Sequence, residues 1–397
     1  MIMKYSWIIV VLILMNFSFC SENPATVPVE LPSAIPADYK PPARSYWPTN
    51  GWQAVANDIP KNSFDELDKY LFSRTGDEKD RKGIRTDGFI FIHNGKIVYE
   101  KYARGFSQET PHLAWSVTKS FVNAFYGVAQ KEGIINKNDF AAQYYKPLAV
   151  EEKKAIRLSD LLEMSSGLFW DEGYESSPLK SSVIAMLYTS GREDMAGFAA
   201  AMPVEHKPGE RFYYSSGTSN ILMKILQVKL GEQYAKWPWE KIFNPLGMKN
   251  VTLEKDKSGN YVGSSYLYAT PRDMAKFGFL YLNDGIWENR RILPEGWVRY
   301  STTLAKSYYL TPTNKYLVKE NTGAHWWLNQ GIPERDQPKP WPAAPRDTFC
   351  ATGHWGQYIC IIPSYDAVIV RVGDDRDGSF SLNRVFKLAG DILGGIN

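Results

Sequence analysis

Ser116 and Lys119 stand three positions apart in the stretch Ala114-Trp115-Ser116-Val117-Thr118-Lys119-Ser120-Phe121-Val122. On a helix, side chains at i and i+3 share a face one turn apart, so this spacing sets a hydroxyl beside an amine. A serine hydroxyl is a weak nucleophile until a base takes its proton. A lysine amine that is partly desolvated, beside a second cation or a phenol, gives up its own proton more readily and can be that base. Trp115, Phe121, Val122 and Phe125 make an apolar opposite face that would bury the helix and hold the pair. A second Ser-x-x-Lys, Ser177-Pro178-Leu179-Lys180, carries a proline among Gly- and Ser-rich neighbours and reads as a loop.

About a hundred residues further on, Lys207-Pro208-Gly209-Glu210-Arg211-Phe212-Tyr213-Tyr214-Ser215-Ser216-Gly217 reads as a turn followed by a loop or short strand. A phenol in such a loop, Tyr214, can face a lysine; beside an ammonium it ionises more easily and can pass protons. The alternative for Tyr214 is a half-buried aromatic whose hydroxyl is satisfied elsewhere.

The elements around these residues follow from local signals. A helix with Ser63 as N-cap and Glu66 in the reciprocal position spans 63–72. Asn94-Gly95 joins two β-rich runs into a hairpin over 88–102. The Ser116 helix ends near Glu132-Gly133, and short helices fill roughly 140–250, among them 158–164, 182–188, 194–201, 219–230 and 237–243. Thr270 caps a helix with Pro271 at its first position. A hairpin over 286–293 and a helix over 294–300 come next; strands at 348–353, 357–363 and 367–372 and a helix at 379–393 complete the chain. Strands at both ends with helices between predict an α+β fold. One antiparallel sheet is built from the two chain ends, helices pack on it, and a helical lobe is inserted. A cleft would open where sheet and lobe meet.

Lys4 and the apolar run from Trp7 to Met15 read as a secretory signal, too short to span a bilayer. Ser18-Phe19-Cys20 permits cleavage after Cys20, giving a signal peptide over 1–20; the other reading makes Cys20 the lipidated first residue of a lipoprotein, which Phe19 disfavours. An uncleaved signal anchor or a buried N-terminal strand is the third. Residues 21–50 are rich in proline, an extended leader that either spaces the domain from a membrane or straps across it. The folded domain then occupies 51–397, and the expected location is outside the cytoplasm, periplasmic or membrane-anchored.

A net charge of +3 without a basic run argues against nucleic acid or an anionic membrane surface as partner. The five histidines are scattered and no Cys/His spacing fits zinc, so neither metal nor cofactor is expected. In a tight hairpin centred on Gly353-His354-Trp355-Gly356, Cys350 would face Cys360, as a disulfide or as two buried thiols. Thirteen tryptophans, including Trp326, Trp327 and Trp341, are core by default, with one or two free to wall an apolar pocket.

Taken together, the motifs resemble the serine β-lactamase and penicillin-binding-protein superfamily, and within it the class C-related hydrolases of the 6-aminohexanoate-dimer hydrolase type. The resemblance runs over about 85–390. Besides Ser116-x-x-Lys119 it rests on Ser159-Asp160-Leu161-Leu162-Glu163-Met164-Ser165-Ser166-Gly167-Leu168, Pro208-Gly209 with Tyr214-Ser215-Ser216, Asn244-Pro245-Leu246-Gly247-Met248, Thr270-Pro271-Arg272-Asp273 and Gly353-His354-Trp355-Gly356-Gln357. It implies that Ser116 is acylated and that Lys119 and Tyr214 act as general base and acid. The backbone amides of Ser116 and Gln357 would form the oxyanion hole. His354, Trp355 and Gly356 would take the place of a Lys-Thr-Gly strand, and Tyr174 and Ser216 would touch substrate. The chain has no Lys-Thr-Gly, and Ser216 replaces an asparagine, which points away from β-lactams and toward esters or amides with short acyl chains.

The expected function is therefore an exported serine hydrolase of a small ester, amide or peptide-like substrate. The alternatives are a D-Ala-D-Ala carboxypeptidase or weak β-lactamase, or a non-catalytic binding or sensor domain. A membrane would be reached only through a lipid on Cys20.

Overall fold

Asn94 and Gly95 both take left-handed backbone angles, φ 49° and 74°, the turn that matches the twist of two antiparallel strands. The computed structural model describes residue 28 and residues 30–53, 59–73, 78–174, 180–312 and 321–394. The turn joins β1 (Thr86–His93) to β2 (Lys96–Tyr102). The remaining strands of the sheet come from the other end of the chain: β3 (Asn321–Thr322), β4 (Trp327–Leu328), β5 (Phe349–Gly353), β6 (Gln357–Ile362) and β7 (Ala367–Gly373). Their order is β2-β1-β7-β6-β5-β4-β3, antiparallel throughout. The expected sheet from both chain ends is present, widened by the short strands β3 and β4.

The pleat divides the apolar residues between two cores. Ile90, Ile92, Val368 and Val370 face one way, Phe89, Phe91, Cys360 and Ile369 the other. The second face is covered by α1 (Asp65–Phe72) and the C-terminal helix α5 (Leu382–Gly394). Ser63 does not cap α1 as expected; it lies inside a 3₁₀ turn, Lys61–Phe64, and the acidic Asp65, Glu66 and Asp68 meet the helix dipole instead.

The first face carries α2 (Thr118–Lys131) and α4 (Pro271–Leu282), with the helical lobe beyond, including α3 (Ser216–Leu230). Thr270 caps α4 by accepting the Asp273 amide, as its sequence predicts. Gly278 lets α4 lie close on the sheet: a Cβ there would stand 2.7 Å from Val368 Cγ1. Helix α3 begins three residues earlier than its pattern implies, because the Ser215 hydroxyl accepts the Thr218 amide and caps it. That cap puts Ser216 in the first turn.

Of the leader, the described part is a strap. Arg44 donates to Asn283 Oδ1 at 2.7 Å and Asp366 Oδ2 at 2.6 Å, the Tyr39 hydroxyl donates to the Leu282 carbonyl, and Trp47 packs between Phe279 and Trp287. Residues 1–20, where the sequence predicts an export signal, and Ser177 lie outside the described residues. Cys350 and Cys360 sit opposite each other in the β5–β6 ladder and are joined as a disulfide.

Candidate active site

The turn that carries Ser116 is fixed before helix α2 begins. Ala114 N–H donates to the Leu267 carbonyl at 2.8 Å, Trp115 takes a left-handed φ of 48°, and Trp115–Val117 form a 3₁₀ turn that runs into α2. A left-handed tryptophan costs on the order of 1 kcal/mol or more, so packing must hold it. Its ring meets Tyr174, His354 and Trp355 edge-on, at centroid distances of 6.4, 5.6 and 5.2 Å.

Lys119 is buried, while Ser116 is partly exposed. The Lys119 amine lies 3.0 Å from Ser116 Oγ, 3.0 Å from Ser216 Oγ and 2.9 Å from the Ser264 carbonyl. Burial pulls its pKa down to about 8, and the Glu172 carboxylate pushes the other way. The same amine stands 5.0 Å from the centroid of the Tyr214 ring, which stacks on Trp327 at 5.5 Å. The loop carrying Tyr214 is pinned to the helical lobe by the Tyr213 amide, which donates to the Met164 carbonyl, and by the Gly209 amide, which donates to that of Ser165. Ser116, Lys119, Met164, Tyr214 and Trp327 line a narrow cleft with Thr352 of β5.

Three further residues complete the cluster. Glu172 accepts the Ser216 hydroxyl at 2.5 Å on one oxygen, and the Ser216 amide at 2.9 Å and the Trp170 indole N–H at 2.5 Å on the other. His325 is buried; its Nδ1 donates to the Lys119 carbonyl at 2.8 Å, and its Nε2 faces Ser219 Oγ at 3.3 Å. Burial, and then the Lys119 cation, hold its pKa down at about 3, so the ring is neutral. Ser264 gives only its carbonyl. None of the three carried a sequence signal: Ser264 acts through its backbone, His325 bonds a carbonyl some two hundred residues away, and Glu172 finds its partner 44 residues on.

Strand β5 meets the Ser116 turn at Gly353, and its register corrects part of the expected cleft wall. The Gly353 carbonyl points into the hairpin, where it accepts the Gly356 amide at 3.3 Å. Across a trans peptide the next N–H points the opposite way, so the His354 amide faces away from the hairpin, and Gly353 itself lies against the Ala114 carbonyl that precedes the Ser116 turn. Gln357 is on β6, between β5 and β7, where its backbone faces another strand on either side; its side chain donates to the His354 and Gly373 carbonyls. Gly356 is likewise buried, against the Arg371–Asp375 ion pair, and does not reach the cleft. The segment beside Ser116 is Ala351-Thr352-Gly353, with alanine at the position expected for a lysine and the threonine and glycine kept.

Of the other expected substrate contacts, Tyr174 and His354 stack at 4.8 Å beside Trp355, all three against the Trp115 ring next to Ser116. Ser216 is buried between Lys119 and Glu172, inside their hydrogen-bonded cluster. Trp326 and Trp327 line the cavity, whereas Trp341 packs on Phe386 in the second core.

The Beta-lactamase family model matches residues 67–387. The 6-aminohexanoate-dimer hydrolase of Paenarthrobacter ureafaciens is 22% identical over 304 residues, covering 74% of this chain and 73% of that protein. Among solved structures, "Putative 6-aminohexanoate-dimer hydrolase from Bacillus anthracis" superposes with a TM-score of 0.66 at 23% identity, over 87% of this chain and 86% of that one. A class C beta-lactamase in complex with cefoxitin superposes at 0.56 and 15% identity, over 84% and 98%. With a family model spanning most of its length and a fold shared with these structures, the chain belongs to the beta-lactamase family of serine hydrolases.

Proposed function

We propose that the protein is an exported hydrolase that cleaves a short-chain carboxylic ester or amide through an acyl-enzyme on Ser116. The observation that carries this is the 3.0 Å contact between the Lys119 amine and Ser116 Oγ, inside a cluster dry enough to lower the lysine pKa to about 8. Neutral Lys119 takes the Ser116 proton as the oxygen attacks the carbonyl carbon. Tyr214 and Lys119 return a proton to the leaving group, and water then repeats the sequence on the ester formed at Ser116. The Ser116 amide lies in the first turn, where helix amides lack intrahelical acceptors. Together with the His354 amide it forms the oxyanion hole, each donor contributing on the order of 3 kcal/mol.

The substrate class follows from the cleft. It is narrow and walled by Met164, Tyr214, Trp326 and Trp327, which favours a short acyl group. Relatives named 6-aminohexanoate-dimer hydrolase support an amide. Export is supported by the apolar start of the chain and by the Cys350–Cys360 disulfide, a bond that persists in oxidising compartments. The test is hydrolysis of p-nitrophenyl acetate and butyrate by wild type and Ser116→Ala. The expected result is loss of turnover in the variant; equal rates would refute the assignment.

The second reading, a D-Ala-D-Ala carboxypeptidase or weak β-lactamase, draws on relatives named as carboxypeptidases. Ala351 argues against it, since no cation stands at that strand position to hold a substrate carboxylate. A stable adduct of fluorescent penicillin on Ser116 would favour it.

A further inference from the structure

The amine of Lys119 touches three groups, and their hydrogen-bond polarity decides where its lone pair points. Ser264 offers a carbonyl, which only accepts. Ser216 offers a hydroxyl, which can accept or donate. The Ser216 proton is taken by Glu172 Oε1 at 2.5 Å, so toward Lys119 the Ser216 oxygen is an acceptor as well. Neutral Lys119 keeps two N–H bonds, and these two acceptors use both. The lone pair is left facing Ser116, whose O–H is the proton to be taken. Were the Ser216 hydroxyl free to rotate, it would compete with Ser116 for that lone pair.

We infer that Glu172 is a positioning residue for the base: by holding the Ser216 hydroxyl proton it aims the Lys119 lone pair at Ser116. Its carboxylate is itself fixed by the Ser216 amide and the Trp170 indole. This rests on the acyl-enzyme reading of Ser116, so the test must separate the two.

Glu172→Gln is the diagnostic change. The two N–H donors on Oε2 keep the amide oxygen there, which turns the NH₂ toward Ser216 Oγ and drives the Ser216 proton toward Lys119. The readout is the second-order labelling rate of a fluorophosphonate, which needs no knowledge of the substrate. The Ser116 O–P bond forms, the P–F bond breaks, fluoride leaves and the Ser116 proton passes to Lys119. In Glu172→Gln, labelling on the alkaline plateau should fall by about tenfold or more. The acid limb should move to lower pH, because the carboxylate that supports the Lys119 charge is gone. In a Ser216→Ala background the same change should cost no more than about twofold, since the competing donor is absent. Ser216→Ala alone should label far faster than Lys119→Met.

A Glu172→Gln variant that labels at the wild-type rate overturns the inference. So does one that loses the same factor with or without Ser216, a limb that stays in place while only Tm falls, or a Ser216→Ala variant as slow as Lys119→Met. Wild-type protein that does not label at Ser116 refutes the hydrolase reading and this inference with it, whereas labelled wild type with an unaffected Glu172→Gln refutes the inference alone.

Discussion

Gly353 presses on Ala114: a Cβ at position 353 would stand 2.4 Å from the Ala114 carbonyl oxygen. The contact locks strand β5 to the turn that presents Ser116, and it sets the distance between the Ser116 and His354 amides. Gly353→Ala must push the two apart. Overpacking of this kind costs about 1–3 kcal/mol, but the displaced pair of amides should cost more in rate than in stability. The expected outcome is a fall in p-nitrophenyl acetate turnover of about a hundredfold with Tm lowered by only a few degrees. Calorimetry alongside the assay checks it; full activity in Gly353→Ala would show that the strand does not set the site.

The depressed pKa of Lys119 gives the pH dependence a sign. Its folded value, about 8, lies below the usual 10.5. The amine is neutral above pH 8 and protonated below, so if Lys119 is the base, as proposed, the single-turnover rate should rise with pH about tenfold per unit toward 8 and level off beyond it. Stability moves in the same direction. Between about pH 8 and 10.5 the unfolded chain holds a proton on this lysine that the folded chain does not, so its contribution to stability rises through that window. A labelling rate that falls as pH rises from 6 to 8 would exclude Lys119 as the base.

The parts of this site that could be read from the chain are those carried by short spacing. Ser116 and Lys119 are one helical turn apart, Asn94-Gly95 is a hairpin turn, and Thr270-Pro271 starts a helix; each is fixed by neighbours in sequence. Tyr214 is legible from the Pro208-Gly209 turn and the loop that follows it, and the structure puts its ring beside the lysine. What escaped depends on register and on distant partners. The alternation of β5 decides that His354 and not Gln357 turns an amide outward, a shift of three residues at the tip of one hairpin. Glu172 and His325 meet Ser216 and Lys119 only after the helical lobe and β3–β4 close on helix α2. The strap was undecided because proline-rich segments lack periodicity whether they are packed or free.

His325 links acid stability to helix α2. Its folded pKa of about 3 lies below the ordinary 6.5. The unfolded chain therefore takes up a proton below pH 6.5 that the folded chain refuses until about pH 3, and stability must fall as pH drops through that interval. Each unit is worth about 1.4 kcal/mol for a buried group, so the decline from pH 6 to 4 amounts to about 2–3 kcal/mol from this residue. His325→Gln keeps a donor for the Lys119 carbonyl and cannot titrate. Its Tm should be nearly flat over a range in which wild type loses several degrees, once shared contributions are subtracted. Parallel Tm–pH curves for the two proteins would assign the acid sensitivity elsewhere.

The disulfide between Cys350 and Cys360 ties β5 to β6 on the sheet face turned away from the nucleophile, where both cysteines are buried with Phe89 and Phe91. It closes a loop with a sequence separation of 10, for which loss of unfolded-state entropy predicts stabilisation of about 2–3 kcal/mol. The ladder itself does not need it: the pairs from Phe349↔Ile361 to Gly353↔Gln357 are continuous without the sulfurs. Replacing both cysteines by alanine should therefore lower the free energy of unfolding by about that amount, plus a small cavity cost, while Ser116 labelling stays within about threefold of wild type. Peptide mapping of unfolded, unreduced protein should find neither Cys350 nor Cys360 open to alkylation. Two alkylated thiols at those positions would remove the crosslink, and a double variant that labels a hundredfold slower would show that β5 depends on it to present Gly353.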